Sequence, residues 1–211
     1  MAVDIEKAVR VLPIKEYNPF LAMIFRMKYI SRWSLMFNRQ SENLSEHTLE
    51  CAFITHLLAV IGNKYFNGNY NPDKLVVYAL FHDASEILTG DLPTPVKYYN
   101  EELKTSYKEL EKTAAKKLLD YLPSDLQVEY QDFLLSDGLC DDERLLLKTA
   151  DKFCAYIKAQ QEVLSGNKEF IAAANKIKAD LDKSNSPESS FFTTHCLPAF
   201  FMSLDDLKGV L

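Results

Sequence analysis

The chain has 211 residues, 47% apolar and 26% charged, with a formal charge of −6. That length is enough to bury a sizeable core as one large domain, and the composition is that of an ordinary globular protein. The acidic balance excludes broad electrostatic binding to nucleic acid, which needs a basic surface, so an anionic ligand must meet local charge from an Arg, a Lys or a metal ion.

The opening MAVDIEKAVRVLPIK contains acids and no signal-peptide core, so export is not expected. Helical periodicity then runs through almost the whole sequence, and strand alternation is nearly absent. A first helix is expected from about Pro19 to Ile30, followed by the loop SRWSLMFNRQSEN. Asn43 or Ser45 can cap the second helix, and Asn43 with Glu46 forms a capping-box pattern. Apolar residues at Leu49, Ala52, Phe53, Leu57 and Val60 give that helix its expected core face, and Gly62 its end. Asn71-Pro72 starts a third helix, about 73 to 88, closed by Thr89-Gly90 with Gly90 as a left-handed cap.

DLPTP reads as a rigid loop because of its two prolines. Further helices are expected at Glu101 to Tyr121, about 125 to 135, Asp142 to Leu164 and Lys168 to Asp182. The polar run DKSNSPESS reads as a turn or mobile loop, and Pro198 kinks or breaks the final segment. No apolar stretch approaches the ~20 residues of a membrane span, and no linker divides the chain. Cys51, Cys140, Cys154 and Cys196 form no CxxC pair, and Cys51 and Cys154 read as small buried hydrophobes. The expectation is one all-α domain over 1–211, in a reducing cytoplasm and without a membrane partner.

The chemistry concentrates in FHDASEILTGDLPTPVKY, residues 81–98. His82 and Asp83 are adjacent in an apolar helical pattern, with Glu86 one turn on and Asp91 just beyond. At ~3.6 residues per turn Glu86 shares the face of His82 and Asp83. Imidazole nitrogen with carboxylate oxygen suits cobalt, manganese, zinc, nickel or iron, but further ligands must come from other helices. His47 opens the second helix. His56, nine positions on, is half a turn out of phase with it, and His195 lies in a proline-disturbed segment. His56 and His195 therefore read as core histidines. The best fourth ligand is Asp151, a lone acid among Leu147, Ala150, Cys154 and Ala155, where a charge needs a cation or dense hydrogen bonding. Lys148 and Lys152 offer it the alternative of a structural ion pair. Arg32 can likewise cap the first helix, Trp33 can be a packing residue, and Asp91 a turn residue.

The ordered set His47, His82-Asp83 and Asp151 resembles the H…HD…D metal motif of the HD-domain phosphohydrolase superfamily. SRW, SEHT, HDASEILTGDLPTPVKY and KTADKFCAY resemble, more narrowly, the bacterial 5′-deoxynucleotidases of that superfamily, over about residues 25 to 165. The resemblance implies a single all-α HD-domain helical bundle whose C-terminal helices pack on the metal core. It also implies one divalent cation, a homodimer, and hydrolysis of deoxyribonucleoside 5′-monophosphates. His47, His82, Asp83 and Asp151 match the metal ligands, and His47 and Asp83 also face substrate. Arg32 and Trp33 match the pair on the phosphate and sugar, with Arg32 acting in catalysis too. Glu86 matches the acid needed for turnover, and Asp91, Leu92, Pro93 and Thr94 match the substrate-lining loop. The chain departs from the family in having Ser34 where proline follows the RW pair, and about a dozen extra N-terminal residues.

Elementary chemistry points the same way. A phosphate monoester dianion repels nucleophiles; a divalent ion offsets that charge and lowers the pKa of water, and Arg32 offers a planar fork to phosphate oxygens. Glu86 can pass a proton from the water or to the leaving 5′ oxygen. The alternatives are an HD-type phosphodiesterase or polyphosphate hydrolase, or a non-catalytic nucleotide-binding module.

Overall fold

A computed structural model describes residues 18–184 and 186–209. The opening MAVDIEKAVRVLPIK and Asn185 of the polar run lie outside the described residues. No strand occurs among those described, only an isolated antiparallel bridge between Ser31 and Asn43.

The expected first helix is shorter and divided: α1 spans Phe20–Ile24 and tightens into a 3₁₀ turn at Phe25–Tyr29. Ile30 is already extended, and the Leu44 amide donates to its carbonyl at 2.9 Å. The last turn thus tightens as the chain leaves the helix for the bridge, a common place for 3₁₀ geometry. α2 spans Leu44–Tyr65 and starts on the expected capping box: Asn43 accepts from the Glu46 amide while Glu46 accepts from the Asn43 amide.

Of the face the apolar pattern predicts for α2, only Ala52 is buried. His47, Cys51, Ile54, Thr55, Leu58 and Ile61 point inward, whereas Leu49, Phe53, Leu57 and Val60 are exposed, Phe53 by 68%. Gly62 does not end the helix but lies buried within it, where an added Cβ would stand 2.7 Å from the Tyr70 ring. α2 also has the length and hydropathy of a membrane span, with a mean hydropathy of 1.2 in its most apolar window, contrary to expectation; 56% of that window is buried inside the protein.

α3 (Pro72–Phe81) and α4 (Glu86–Thr89) replace the single expected helix over 73–88, with a turn at residues 82–85 between them. Gly90 follows with φ 74° and ψ 159°, a region open essentially to glycine alone, rather than the left-handed helical cap expected. The end of DLPTP, expected as loop, is instead helical: Thr94–Lys97 forms a short helix, α5, because Pro95 falls in its first turn, where no amide is needed. α6 (Glu101–Leu119), α7 (Ser124–Leu135) and α8 (Asp141–Leu164) follow the expected spans closely. A 3₁₀ turn at Lys168–Phe170 leads into α9 (Ile171–Asp182). Pro187 starts α10 (Pro187–His195) inside the polar run expected as loop, and the disturbed end resolves into a 3₁₀ turn, Leu197–Phe201, and α11, Leu204–Lys208.

α2 lies at the centre, packed on α3, α8 and α10. Their core includes Cys51, Leu58, Leu75, Tyr78, Phe153 and Phe192. α1, α6 and α7 bury a second cluster around Phe20, Leu118 and Leu134, and α8 with α9 a third around Phe170 and Ala174. His56 and His195, expected in the core, are both exposed.

Because α2 carries His47 in its first turns, its cap sets the depth of that ring. Asn43→Ala removes the acceptor for the Glu46 amide and should lower stability by about 1 kcal/mol, the usual cost of a lost N-cap. An unchanged urea midpoint would show that the bridge alone fixes this helix start.

Candidate active site

Two histidines and one aspartate from two elements meet at the inner end of α2. Nitrogens of His47 and His82 and an oxygen of Asp83 all lie within 4.8 Å of one another. His82 Nε2 is 3.1 Å from Asp83 Oδ2, and His47 Nε2 is 3.6 Å from the same oxygen. Asp151, from the middle of α8, joins through His47, its Oδ1 3.2 Å from Nε2.

The turn between α3 and α4 explains how adjacent residues converge. His82 Nδ1 lies 2.7 Å from the Ala79 carbonyl. A carbonyl only accepts, so Nδ1 carries a proton and Nε2 is the nitrogen turned toward Asp83. That carbonyl is the acceptor a regular helix would use for the Asp83 amide. The amides of Ala84, Glu86, Ile87 and Leu88 instead bond three residues back, a tighter winding that brings the two side chains together.

Charge is dense here. Arg32 keeps 12% of its side chain exposed, with Nη1 3.6 Å from Asp83 and Nε 3.6 Å from Glu42. Burial disfavours its charge, but Glu42, Asp151, Asp83 and Asp91 together hold the guanidinium charged beyond its ordinary range. Asp83 is burdened by burial yet held low by His82, His47 and Arg32. His82 is raised, against its burial, chiefly by Asp83. Glu86, 5% exposed, is pushed up to about 9 by burial and by the Asp83 and Asp91 carboxylates.

Several buried atoms have no hydrogen-bond partner: both His47 nitrogens, His82 Nε2, Arg32 Nε, Glu42 Oε1 and Glu86 Oε2. Lone pairs of two imidazoles facing two carboxylates repel unless a proton or cation stands between them. The donor set of two nitrogens and carboxylate oxygens fits a divalent transition ion.

Arg32 and Trp33 sit on a segment with little secondary structure of its own. Trp33 has φ 57°, in the left-handed region, tilts against Phe170 at 5.2 Å, and donates from Nε1 to Glu42 Oε2 at 2.8 Å. Farther along, Glu162 of α8 accepts from the amides of Arg39 and Gln40 at 3.0 Å each, from Asn167 at 2.8 Å and from Lys158 at 2.5 Å. Lys158 also reaches the Gln40 carbonyl. The segment is thus tied to the helix that carries Asp151.

The expected site residues fall into two groups. His47, His82, Asp83, Asp151 and Arg32 meet directly, and Trp33 joins through Glu42. Glu86 is buried beside them at the start of α4; Asp91 is half-buried, and Leu92, Pro93 and the exposed Thr94 follow it along the chain. Tyr107 holds this approach by donating to the Gly90 carbonyl at 3.1 Å. Asp151 makes no ion pair with Lys148 or Lys152 among the described residues, and its side chain is 42% exposed rather than buried. It opens with His82 onto a cavity of about 230 Å³ lined also by Leu139, Arg144, Leu147 and Lys148. Sequence reasoning missed Glu42 and Glu162. Glu42, next to the helix cap, reads as a loop acid, and Glu162 carries no signal except its i+4 spacing from Lys158.

The profile of a family described as 5′-deoxynucleotidase YfbR-like matches residues 19–200. A 5′-deoxynucleotidase of Pectobacterium atrosepticum is 45% identical over 189 residues, covering 90% of this chain and 95% of that protein. One of Yersinia pestis is 44% identical, covering 90% and 96%. Among solved structures, an HD-domain phosphohydrolase from Listeria innocua superposes with a TM-score of 0.75 at 23% identity, over 90% of this chain and 91% of that one. A cyanophage S-2L HD phosphohydrolase, bound to dA and one catalytic Zn²⁺, gives 0.59 at 20% identity, over 89% and 99%. At these identities both structures speak for the fold alone.

The Glu162 latch has a pH signature. Burial opposes its charge, but Lys158, Asn167 and the Gln40 and Arg39 amides hold the carboxyl at about 2, below its ordinary 4.5. A depressed carboxyl stabilises the fold above its unfolded pKa and loses that contribution as pH falls through the folded one. The stability advantage of the parent over Glu162→Gln should be complete above about pH 4.5 and shrink as the pH approaches about 2. An advantage independent of pH across that window, measured by chemical denaturation, would remove the charge from the explanation.

Proposed function

This chain belongs to the YfbR-like 5′-deoxynucleotidase family, and from that premise we propose how its residues divide the work. It is an all-α HD-domain hydrolase that removes the 5′-phosphate of deoxyribonucleoside 5′-monophosphates, releasing nucleoside and phosphate. The observation that carries the reading is the group of unpartnered nitrogens on His47 and His82 facing Asp83 and Asp151, with the Arg32 guanidinium alongside. We assign the chain to one domain, since α8 contributes residues to two of its apolar clusters.

His47, His82, Asp83 and Asp151 would hold one divalent ion, of the set cobalt, manganese, zinc, nickel or iron that mixed N/O ligands accept. Such an ion supplies positive charge against the phosphoryl oxygens and acidifies water. Arg32 grips the phosphate with the fork it now points at Asp83. Trp33 walls the sugar, and Asp91, Leu92, Pro93 and Thr94 line the nucleoside. Water oxygen bonds to phosphorus as the bond from phosphorus to the 5′ oxygen breaks, and the proton goes to that oxygen. Glu86 moves the proton, from the water or to the leaving oxygen.

Phosphate release across deoxy- and ribonucleoside monophosphates, a cyclic nucleotide and a guanosine polyphosphate, with each ion after chelation, tests this reading. Deoxyribonucleoside monophosphates should be preferred, and chelation should abolish turnover. Glu86→Ala should keep its metal and KM and lose about 10²-fold in kcat, the usual scale for a proton-transfer group. Asp151→Ala should lose metal, and Trp33→Ala should narrow the deoxy-to-ribo ratio. Turnover that survives with no metal in the protein, or a Glu86→Ala variant as fast as the parent, would refute the assignment.

The exposed stripe Leu49, Phe53, Leu57 and Val60 on α2 supports a homodimer that covers it, since contiguous apolar surface of this kind marks an interface. The four free cysteines, two of them buried, support a cytoplasmic setting. Phe53→Glu should shift the sedimenting species from dimer to monomer; a parent that is monomeric at all concentrations would end the dimer proposal.

A further inference from the structure

Glu42 is the acid that the site's assigned roles leave unused. It is 8% exposed and sits where the Ser31–Asn43 bridge meets the start of α2, its own carbonyl accepting from the Arg32 amide at 3.0 Å. Its Oε2 accepts the Trp33 indole N–H at 2.8 Å and stands 3.6 Å from Arg32 Nε. Its Oε1 is 3.6 Å from His47 Nδ1, and neither of those two atoms has a hydrogen-bond partner. At 3.6 Å this is a facing pair rather than a formed bond, and a few tenths of an ångström would close it. Glu42 also lies on the wrong side of the ring to share an ion with His47: it faces Nδ1, whereas Asp83 and Asp151 face Nε2.

We infer that Glu42 is a positioning residue that couples the metal ligand His47 to the substrate-gripping pair Arg32 and Trp33. Its Oε1 fixes the proton of His47 on Nδ1 and so aims the lone pair of Nε2 at Asp83 and Asp151; its Oε2 holds the indole and the guanidinium. Carboxylates behind metal-binding imidazoles orient the ring and raise its basicity in this way. Here the same carboxylate also carries the substrate side. Donation from Nε2 to a cation strengthens Nδ1–H as a donor, so loading of the metal is felt by Glu42 and, through it, by the indole. The inference rests on the roles proposed for His47, Arg32 and Trp33.

The sequence supplies the probe, since Trp33 is the chain's one tryptophan. The full chain is stripped of metal and titrated with Zn²⁺, following indole emission together with competition against a chromogenic chelator. The parent should change its emission in step with Zn²⁺ binding. Glu42→Gln, nearly isosteric, cannot accept at both ends; it should bind Zn²⁺ about 10- to 100-fold more weakly, the usual loss for a group behind a metal ligand, and its emission should no longer follow loading. Glu42→Asp keeps the charge one methylene short and should fall between the two, so it carries the test if Glu42→Gln melts before assay. Parent-like Zn²⁺ affinity in a folded Glu42→Gln or Glu42→Asp overturns the inference, as does weakened affinity with an emission response like the parent's. Both readouts are taken without nucleotide. A parent that releases no phosphate from dAMP therefore counts against the proposed reaction, and leaves the coupling through Glu42 to be judged on binding and emission.

Discussion

The site depends on one hydrogen bond, from the His82 ring to the Ala79 carbonyl. In a regular helix neighbouring side chains diverge by about 100°, so adjacent residues do not serve one point in space. Spending that carbonyl on the imidazole rewinds the next turn and lets His82 and Asp83 close to 3.1 Å. The same bond fixes the tautomer. It also ends α3 at Phe81, with the turn at residues 82–85 leading to Glu86 at the head of α4 and Gly90 just past its end. Geometry and topology thus meet at a single donor.

Around this point the helices and the Arg32–Glu42 segment are held by different physics. The helices are fixed by apolar packing, with the inner face of α2 packed against α3 and α8. The segment is fixed by polar contacts over long sequence separations, from Glu42 at one end and Glu162, Lys158 and Asn167 at the other. A buried carboxylate that accepts four donors is satisfied and directional, so it specifies one loop path where apolar packing would tolerate several. Because Glu162 and Asp151 share α8, the Arg32–Glu42 segment and the His47–Asp151 pair have a common base.

The sequence makes the helices legible because they obey periodicity and capping rules: the Asn43 box, the Asn71-Pro72 start and the spans of α6, α7 and α8 all follow from local chemistry. The orientation of α2 does not. It carries apolar residues nearly all round, so Leu49 and Phe53 look as suited to the core as Ile54 and Leu58, and only the neighbouring helices decide. The break at residues 82–85 is hidden because it arises from a side-chain hydrogen bond rather than from Gly or Pro. Of the site, the ligand-type residues are readable from their chemistry and the family motif. Glu42 and Glu162 are not, since an acid in a loop or near a helix end reads as solvated until the fold closes over it.

The left-handed backbone of Trp33 bears on how the protein spends its stability. A bulky L-residue at φ 57° carries about 1–3 kcal/mol of strain, and the surrounding bonds over-determine it. Ser34 contributes by relieving Trp33 of the steric limits that a following proline imposes. A residue held this way is already ordered before any ligand arrives, so little entropy remains to be lost on association. In the role proposed for Trp33 as the sugar wall, variation among ligands would fall mainly on how long each stays rather than how fast it arrives.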